Sequence, residues 1–258
     1  MKVLSIDWDY FQNVSVDMLR SCYPDGVDLP TAITEITWGG HYAANGDRLR
    51  SKVTLIQDEY ERLMKILLNQ DSGTPVLISN SHVHAYDFIH KYLQDKRRYD
   101  FKCPDEKVEL INVDMHHDYI NDSENLDCGN WIGRLIKDDV LESNTLGWIH
   151  NPVSFEMYGI DPNGKDDFSK LLRRLDKGTT LESIEGEQFD LIILARSDTW
   201  SAPHLDKYFC LLVNTMKVHF EDVSYENGID KPRMEYLKYA VTMRDMYVSI
   251  QRKGSEPA

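Results

Sequence analysis

Val108-Glu-Leu-Ile-Asn-Val113-Asp114-Met-His116-His117-Asp118 is the stretch on which the fold turns. Its first six residues form an apolar run bounded by charged residues, the pattern of a buried strand. A strand sends alternate side chains to one side, at roughly 6.6 Å per two residues. Continued past the strand end, that alternation directs Asp114, His116 and Asp118 into one crevice and His117 away from it. Two carboxylates bracketing an imidazole make a mixed oxygen and nitrogen donor set, better suited to manganese, iron or zinc than to calcium or magnesium. The competing reading is a capping turn, in which Asp118 satisfies backbone N–H groups and His116 bonds locally.

A second stretch of the same kind opens the chain. Ser5-Ile6-Asp7-Trp8-Asp9-Tyr10 follows the apolar pair Val3-Leu4 and again sets two carboxylates at strand spacing. Asp-x-Asp also marks phosphatases, glycosyltransferases and ordinary turns, so its weight comes from the company of the Asp114 stretch. Val76-Leu-Ile78 reads as a short strand leading to His82-Val-His84, where either histidine could be a ligand and spacing favours His82. Phe189 to Ala195 is a strongly apolar strand ending in Arg196-Ser197-Asp198.

Helices are predicted over residues 54–68, 85–93, 129–141, 168–175, 205–217 and 233–251, with a weaker strand at 147–149. Residues 11–50 are rich in Gly, Pro and aromatics, including Trp38-Gly39-Gly40-His41. They read as a long irregular excursion of the kind that covers active sites. Strands alternating with helices predict an α/β fold with a mostly parallel central sheet. Ligands of such sheets gather at the carboxyl ends of the strands. The unusual polar residues fall at four of those ends: Asp7 and Asp9; His82; Asp114, His116 and Asp118; and Asp198.

The 258 residues read as one domain, 1–258, with a disordered tail at 252–258. An apolar fraction of 41% supports a core, and no apolar run approaches the ~18 residues of a membrane span. A net charge of −14 argues against a nucleic-acid partner, because phosphate binding needs a basic face. No signal-peptide pattern is visible at the N-terminus. Cys22, Cys103, Cys128 and Cys210 are scattered, the usage of reduced thiols in a cytoplasmic protein rather than of a structural zinc knot.

These stretches resemble the ureohydrolase superfamily of arginases and agmatinases. That family carries a histidine in a Gly-Gly-Asp-His-type turn, then Asp-x-His-x-Asp, then Ser-x-Asp-x-Asp. Leu77-Ile-Ser-Asn-Ser-His82, Asp114-Met-His116-His-Asp118 and Ser5-Ile-Asp7-Trp-Asp9 look like those elements, with the last moved to the front of the chain. The Asp-Tyr-Phe ending of the first stretch and Asn130-Trp131-Ile132 look closer to a divergent branch that includes the peptide arginases. Those enzymes convert arginine within ribosomal precursor peptides to ornithine and release urea.

The resemblance implies a three-layer, arginase/deacetylase-like fold holding two manganese ions (Mn2+). It implies that Asp114 and Asp7 bridge the ions, that His82 and Asp118 complete one shell, and that His116 and Asp9 complete the other. Asp198 stands where the family holds the guanidinium with Glu, and Asn130 lies in a phrase like that of the free-arginine enzymes. Ile132 stands where those enzymes have a proton-shuttling histidine. Water between two such ions about 3.5–4 Å apart is acidified for attack, and Asp118 can accept its proton. The implied partner is an arginine-containing precursor peptide. The alternatives are a phosphatase using Asp7 as nucleophile and Asp9 as acid, a metal-dependent deacylase on a related fold, and a binding protein that keeps a metal for stability.

Overall fold

The computed structural model of the chain describes residues 1–24, 29–99, 107–119, 124–161 and 164–233. In chain order they form β1 (Lys2–Asp7), a 3-10 turn (Trp8–Phe11), β2 (Gln12–Asn13), α1 (Val16–Cys22), α2 (Thr31–Lys52), β3 (Thr54–Leu55) and α3 (Gln57–Leu68). There follow β4 (Val76–Ser79), α4 (His84–Tyr99), β5 (Val108–Asp114), α5 (Trp131–Lys137), β6 (Leu141–His150) and α6 (Ser154–Met157). The described part closes with α7 (Asp167–Leu175), β7 (Leu191–Ala195), α8 (Asp206–His219) and β8 (Val223–Tyr225).

Six strands make one all-parallel sheet in the order β6-β5-β1-β7-β4-β8. The alternation along β1 shows why helices cover both faces. Leu4 and Ile6 pack with Leu63, Leu67, Phe209 and Val213 from α3 and α8. Val3 packs with Ile89, Leu135 and Leu172 from α4, α5 and α7. A parallel sheet buried on both faces needs near-continuous apolar strands, which is what β1, β5 and β7 supply. The result is a three-layer α/β arrangement.

Register decides where function can gather. Ile6 lies opposite Val113, Asp7 opposite Ala195, and Ser79 also opposite Ala195. The last residues of β5, β1, β7 and β4 therefore stand in a row, on neighbouring strands roughly 4.8 Å apart. The chain runs from β1 first to one side, at β4, and then back across to β5 on the other. The carboxyl end of β1 is thus a topological switch point, where open α/β sheets form their ligand crevice.

The expectation for residues 11–50 is overturned, because much of this stretch is helical. Trp38, Tyr42, Leu49 and Val53 recur at spacings of a single helix face and are buried. They join Val16, Met18, Met115, Val153, Ala202 and Leu205 in a third core cluster over the carboxyl ends of the strands. Gly39-Gly40 and Gly46 read as breakers, yet tertiary packing overrides weak intrinsic propensity. The disruption in α2 is confined to a kink at Asn45.

Smaller corrections follow the same logic. Thr54 and Leu55 pair antiparallel with β2, so the helix begins at Gln57. α5 stops at Lys137, and Leu141 opens a ten-residue strand instead of ending a helix. The first half of that strand carries Glu142, Ser143 and Asn144, which dilute its apolar signal. The helix expected at 233–251 (Arg233 apart), the tail 252–258 and Cys103 lie outside the described residues. Among the described residues Cys22, Cys128 and Cys210 form no disulfide. Among the described residues no helix is long and apolar enough to cross a membrane.

Candidate metal centre

Two tight turns, rather than continued strand alternation, bring the acids together. β1 ends at Asp7, whose Oδ1 accepts from the Asp9 backbone N–H at 3.1 Å and caps the 3-10 turn. That turn carries Asp9 back toward β5, where its Oδ1 accepts from Met115 N at 3.0 Å. β5 ends at Asp114, whose Oδ1 accepts from His116 N at 2.7 Å. The chain then folds back through Asp118, which sits at φ +51. His117 does point away, packing against Tyr158 and Phe168.

His82 arrives from the loop after β4. Its Nδ1 lies 3.0 Å from Asp118 Oδ2, 3.1 Å from Asp114 Oδ2 and 3.3 Å from Asp7 Oδ2. His116 Nδ1 lies 2.8 Å from Asp9 Oδ2 and 3.8 Å from Asp114 Oδ1. The donors form two sets, Asp7–His82–Asp114 and Asp9–Asp114–His116, with donor atoms within 4.8 Å of one another in each. Asp114 belongs to both, whereas Asp7, which the resemblance implies as a second bridge, is in the first set alone. Asp7 and Asp114, distant in sequence, converge.

An outer layer orients these donors. Ser5 Oγ lies 2.6 Å from His82 Nε2, leaving Nδ1 to face the carboxylates. Trp131 Nε1 donates to Asp118 Oδ2 at 2.7 Å, Asn112 Nδ2 donates to Asp114 Oδ2 at 3.2 Å, and the Ser197 hydroxyl donates to Asp7 Oδ2. Such contacts fix the rotamer and tautomer of metal ligands in known centres.

Burial and mutual repulsion dominate the electrostatics of the cluster. Burial, then the neighbouring Asp7, push the Asp9 carboxyl up to about 6. Burial, then Asp118 and Asp7, push Asp114 well above the carboxylate range. Burial would lower His82 and His116, but the carboxylates around them prevail and raise both. Asp118 goes down: burial would raise it, yet the hydrogen bond from His82 and the cationic imidazoles outweigh that. Fully ionised, the four buried carboxylates Asp7, Asp9, Asp114 and Asp118 would outweigh even two protonated imidazoles, and the raised Asp9 and Asp114 show how strongly the metal-free chain resists that state. Buried charge without a partner is costly, and this surplus with its O/N donors fits divalent transition ions.

The remaining expected site residues are held differently. His84 pairs with Glu226 at 3.2 Å, outside the cluster. Asn130 clamps its own loop, accepting from Asp127 N at 3.0 Å and donating to Asn125 O at 2.7 Å. Both Asp198 carboxylate oxygens accept from Arg196, at 2.5 and 3.0 Å, so this acid faces an internal guanidinium. The sequence reading gave no role to Ser5, Trp131, Arg196, Ser197 or Arg233. Ser5 had a signal, since it lies two residues before Asp7 on the same strand and so shares its side.

Among the described residues the donors are unequally covered. The His116 side chain is 19% exposed while Asp9 and Asp114 are fully covered. The Trp200 ring flanks His116 at 4.8 Å. A cavity of about 280 Å3, lined by Asn80, Ser81, Val83, His84 and Asp198 among others, lies one residue along the chain from both His82 and Ser197. Comparison of the chain with protein-family models, with curated proteins and with solved structures found no match.

Proposed function

We propose that this protein is a binuclear, metal-dependent hydrolase that removes urea from arginine side chains presented in a peptide, leaving ornithine. The observation that carries the proposal is the pair of His/carboxylate sets sharing Asp114 at the carboxyl end of a parallel sheet. Asp7, His82, Asp114 and Asp118 would hold one ion, and Asp9, Asp114 and His116 the other, with manganese as the metal of choice. Two such ions, when bound, supply Lewis acidity and a water acidic enough to react at neutral pH.

The protein's own groups do the rest. Ser5 and Trp131 hold His82 and Asp118 in place. Asp118, kept below the ordinary carboxylate range by His82 after opposing burial, stays ionised and is the acceptor for the proton that hydrolysis releases. The site opens past His116 and Trp200, whose indole face suits a planar guanidinium arriving from that side. A peptide fits better than the free amino acid. Asn130, in the phrase that resembles the free-arginine enzymes, is engaged by its own loop, and the buried guanidinium groups nearby, Arg196 and Arg233, are taken by Asp198 and Asp206.

A second reading has one observation in its favour. Arg196 already neutralises Asp198, so a neutral substrate leaves no buried charge unpaired, and an acyl-lysine deacylase on the same centre is consistent with that pair. The phosphatase alternative uses Asp7 and Asp9 but gives no task to His82, Asp114 or His116. The decisive experiment incubates the manganese-loaded protein with arginine peptides, free arginine and acetyl-lysine peptides, and assays urea, ornithine and acetate. Mass alone is insufficient, because the two losses are nominally equal. Urea from peptides supports the proposal; acetate without urea replaces it with the deacylase.

A further inference from the structure

The loop after β7 holds a residue in an unfavourable conformation beside the cluster. Ser197 is buried and sits at φ +48, in the left-handed region that residues with a Cβ avoid. Such a conformation persists only where the surroundings over-determine it. Here they do. Arg196 N donates to Ser79 O at 2.8 Å, and Asp198 N to Asn80 O at 3.1 Å, tying both flanks of Ser197 to the loop that carries His82. Ser197 O accepts from Trp200 N at 2.8 Å and Ser201 N at 2.9 Å. Arg196 grips Asp198 with two hydrogen bonds, and Arg233 donates to Asp198 O at 2.5 Å and Ser201 O at 2.9 Å.

Glycine is the residue that adopts this conformation without strain. Serine offers what glycine lacks, a hydroxyl, and that hydroxyl lands on Asp7 Oδ2. The other Asp7 oxygen is already fixed by Asp9 N at 3.1 Å. With both oxygens held, the carboxylate plane is set, and Oδ2 faces His82 Nδ1 at 3.3 Å.

We infer that Ser197 is a positioning residue for the metal centre: it orients Asp7 toward the ion shared with His82, and the loop's arginine contacts hold it in the strained conformation that this requires. The inference rests on the metal-centre reading above. Because Asp7 belongs to the His82 set and not to the His116 set, the role is confined to one ion of the two.

The test titrates Mn2+ into the metal-free full chain, counting bound ions by the electron paramagnetic resonance signal of free Mn2+, with melting temperatures of the metal-free proteins measured in parallel. S197A keeps the strain and loses the hydroxyl; S197G loses both. S197G is expected to melt above S197A, yet both variants are expected to bind one ion normally and the second about 10- to 100-fold more weakly. Should S197A fail to fold, S197G alone carries the comparison with the wild type. A purely structural role predicts affinity that tracks melting temperature, or weakening of both ions equally, and either result overturns the inference. Wild-type protein that binds no Mn2+ removes the metal-centre reading and this inference together; wild type and variants binding two ions alike removes this inference alone.

Discussion

Two buried charge clusters sit side by side at the strand ends, and they are built on opposite principles. Arg196 and Arg233 face Asp198 and Asp206: the charges balance, and the guanidinium groups also donate to backbone carbonyls. The neighbouring cluster sets Asp7, Asp9, Asp114 and Asp118 against only two imidazoles, His82 and His116. The first is complete by itself and serves to fasten the loop after β7 to α8 and the chain beyond β8. The second has more carboxylates than imidazoles, and on the reading proposed above divalent cations would balance it. Burial alone does not separate the two clusters; the balance of charge within each does.

Substitutions separate the two. The largest effect is expected from Asp114→Asn, which removes a donor common to both sets. Mn2+ titration should show both ions lost, and urea release should fall below detection. Next comes Arg233→Met. Leaving Asp206 buried without its partner should destabilise the fold by about 3–5 kcal/mol in urea unfolding, and adding Asp206→Leu should recover part of that loss. Asp9→Asn should act in the opposite direction. The folded protein pushes the Asp9 carboxyl up, so its charged form is destabilising at neutral pH without metal. Removing that charge should stabilise the metal-free chain by roughly 1–3 kcal/mol while abolishing activity. Loss of stability in that variant would show that the acidic cluster is self-sufficient, like its neighbour.

The smallest effect is a pH dependence of the metal-free protein. Asp9 titrates at about 6 in the folded chain against an ordinary 3.8, and Asp114, His82 and His116 are also raised. A raised folded pKa contributes stability below the unfolded value and loses it as pH climbs through the folded one. Asp118 has the reverse sign, contributing above its unfolded value and weakening only toward acid. From pH 5 to 8 the metal-free melting temperature should therefore fall, with the Asp9 step by itself equivalent to about 1–2 kcal/mol. Ion-loaded protein, whose ligands carry no protons, should change less, so the gap between the two widens with pH.

Much of this was legible in the sequence, for identifiable reasons. The apolar runs at Val3-Leu4, Val108–Val113 and Leu191–Ala195 are continuous because both sheet faces are covered, and this pointed to a parallel α/β sheet. The convergence of Asp7 with Asp114 followed from strand-end chemistry. Its geometry did not, since Asp9 and Asp118 return through a 3-10 turn and a left-handed residue rather than along a strand. α2 was hidden because Gly39, Gly40 and Gly46 mask a face whose meaning lies in distant partners such as Ala202 and Leu205. The engagement of Asp198 by Arg196 was also out of reach. An acid beyond a buried strand looks the same in sequence whether its partner is a substrate or its own neighbour.

The central claim is tested most directly by an anomalous-difference map from a manganese-soaked crystal. Two peaks are expected, one among Asp7, His82, Asp114 and Asp118 and one among Asp9, Asp114 and His116, with Asp114 in contact with both. A map without peaks at these residues, or with a peak only elsewhere on the molecule, would contradict the account.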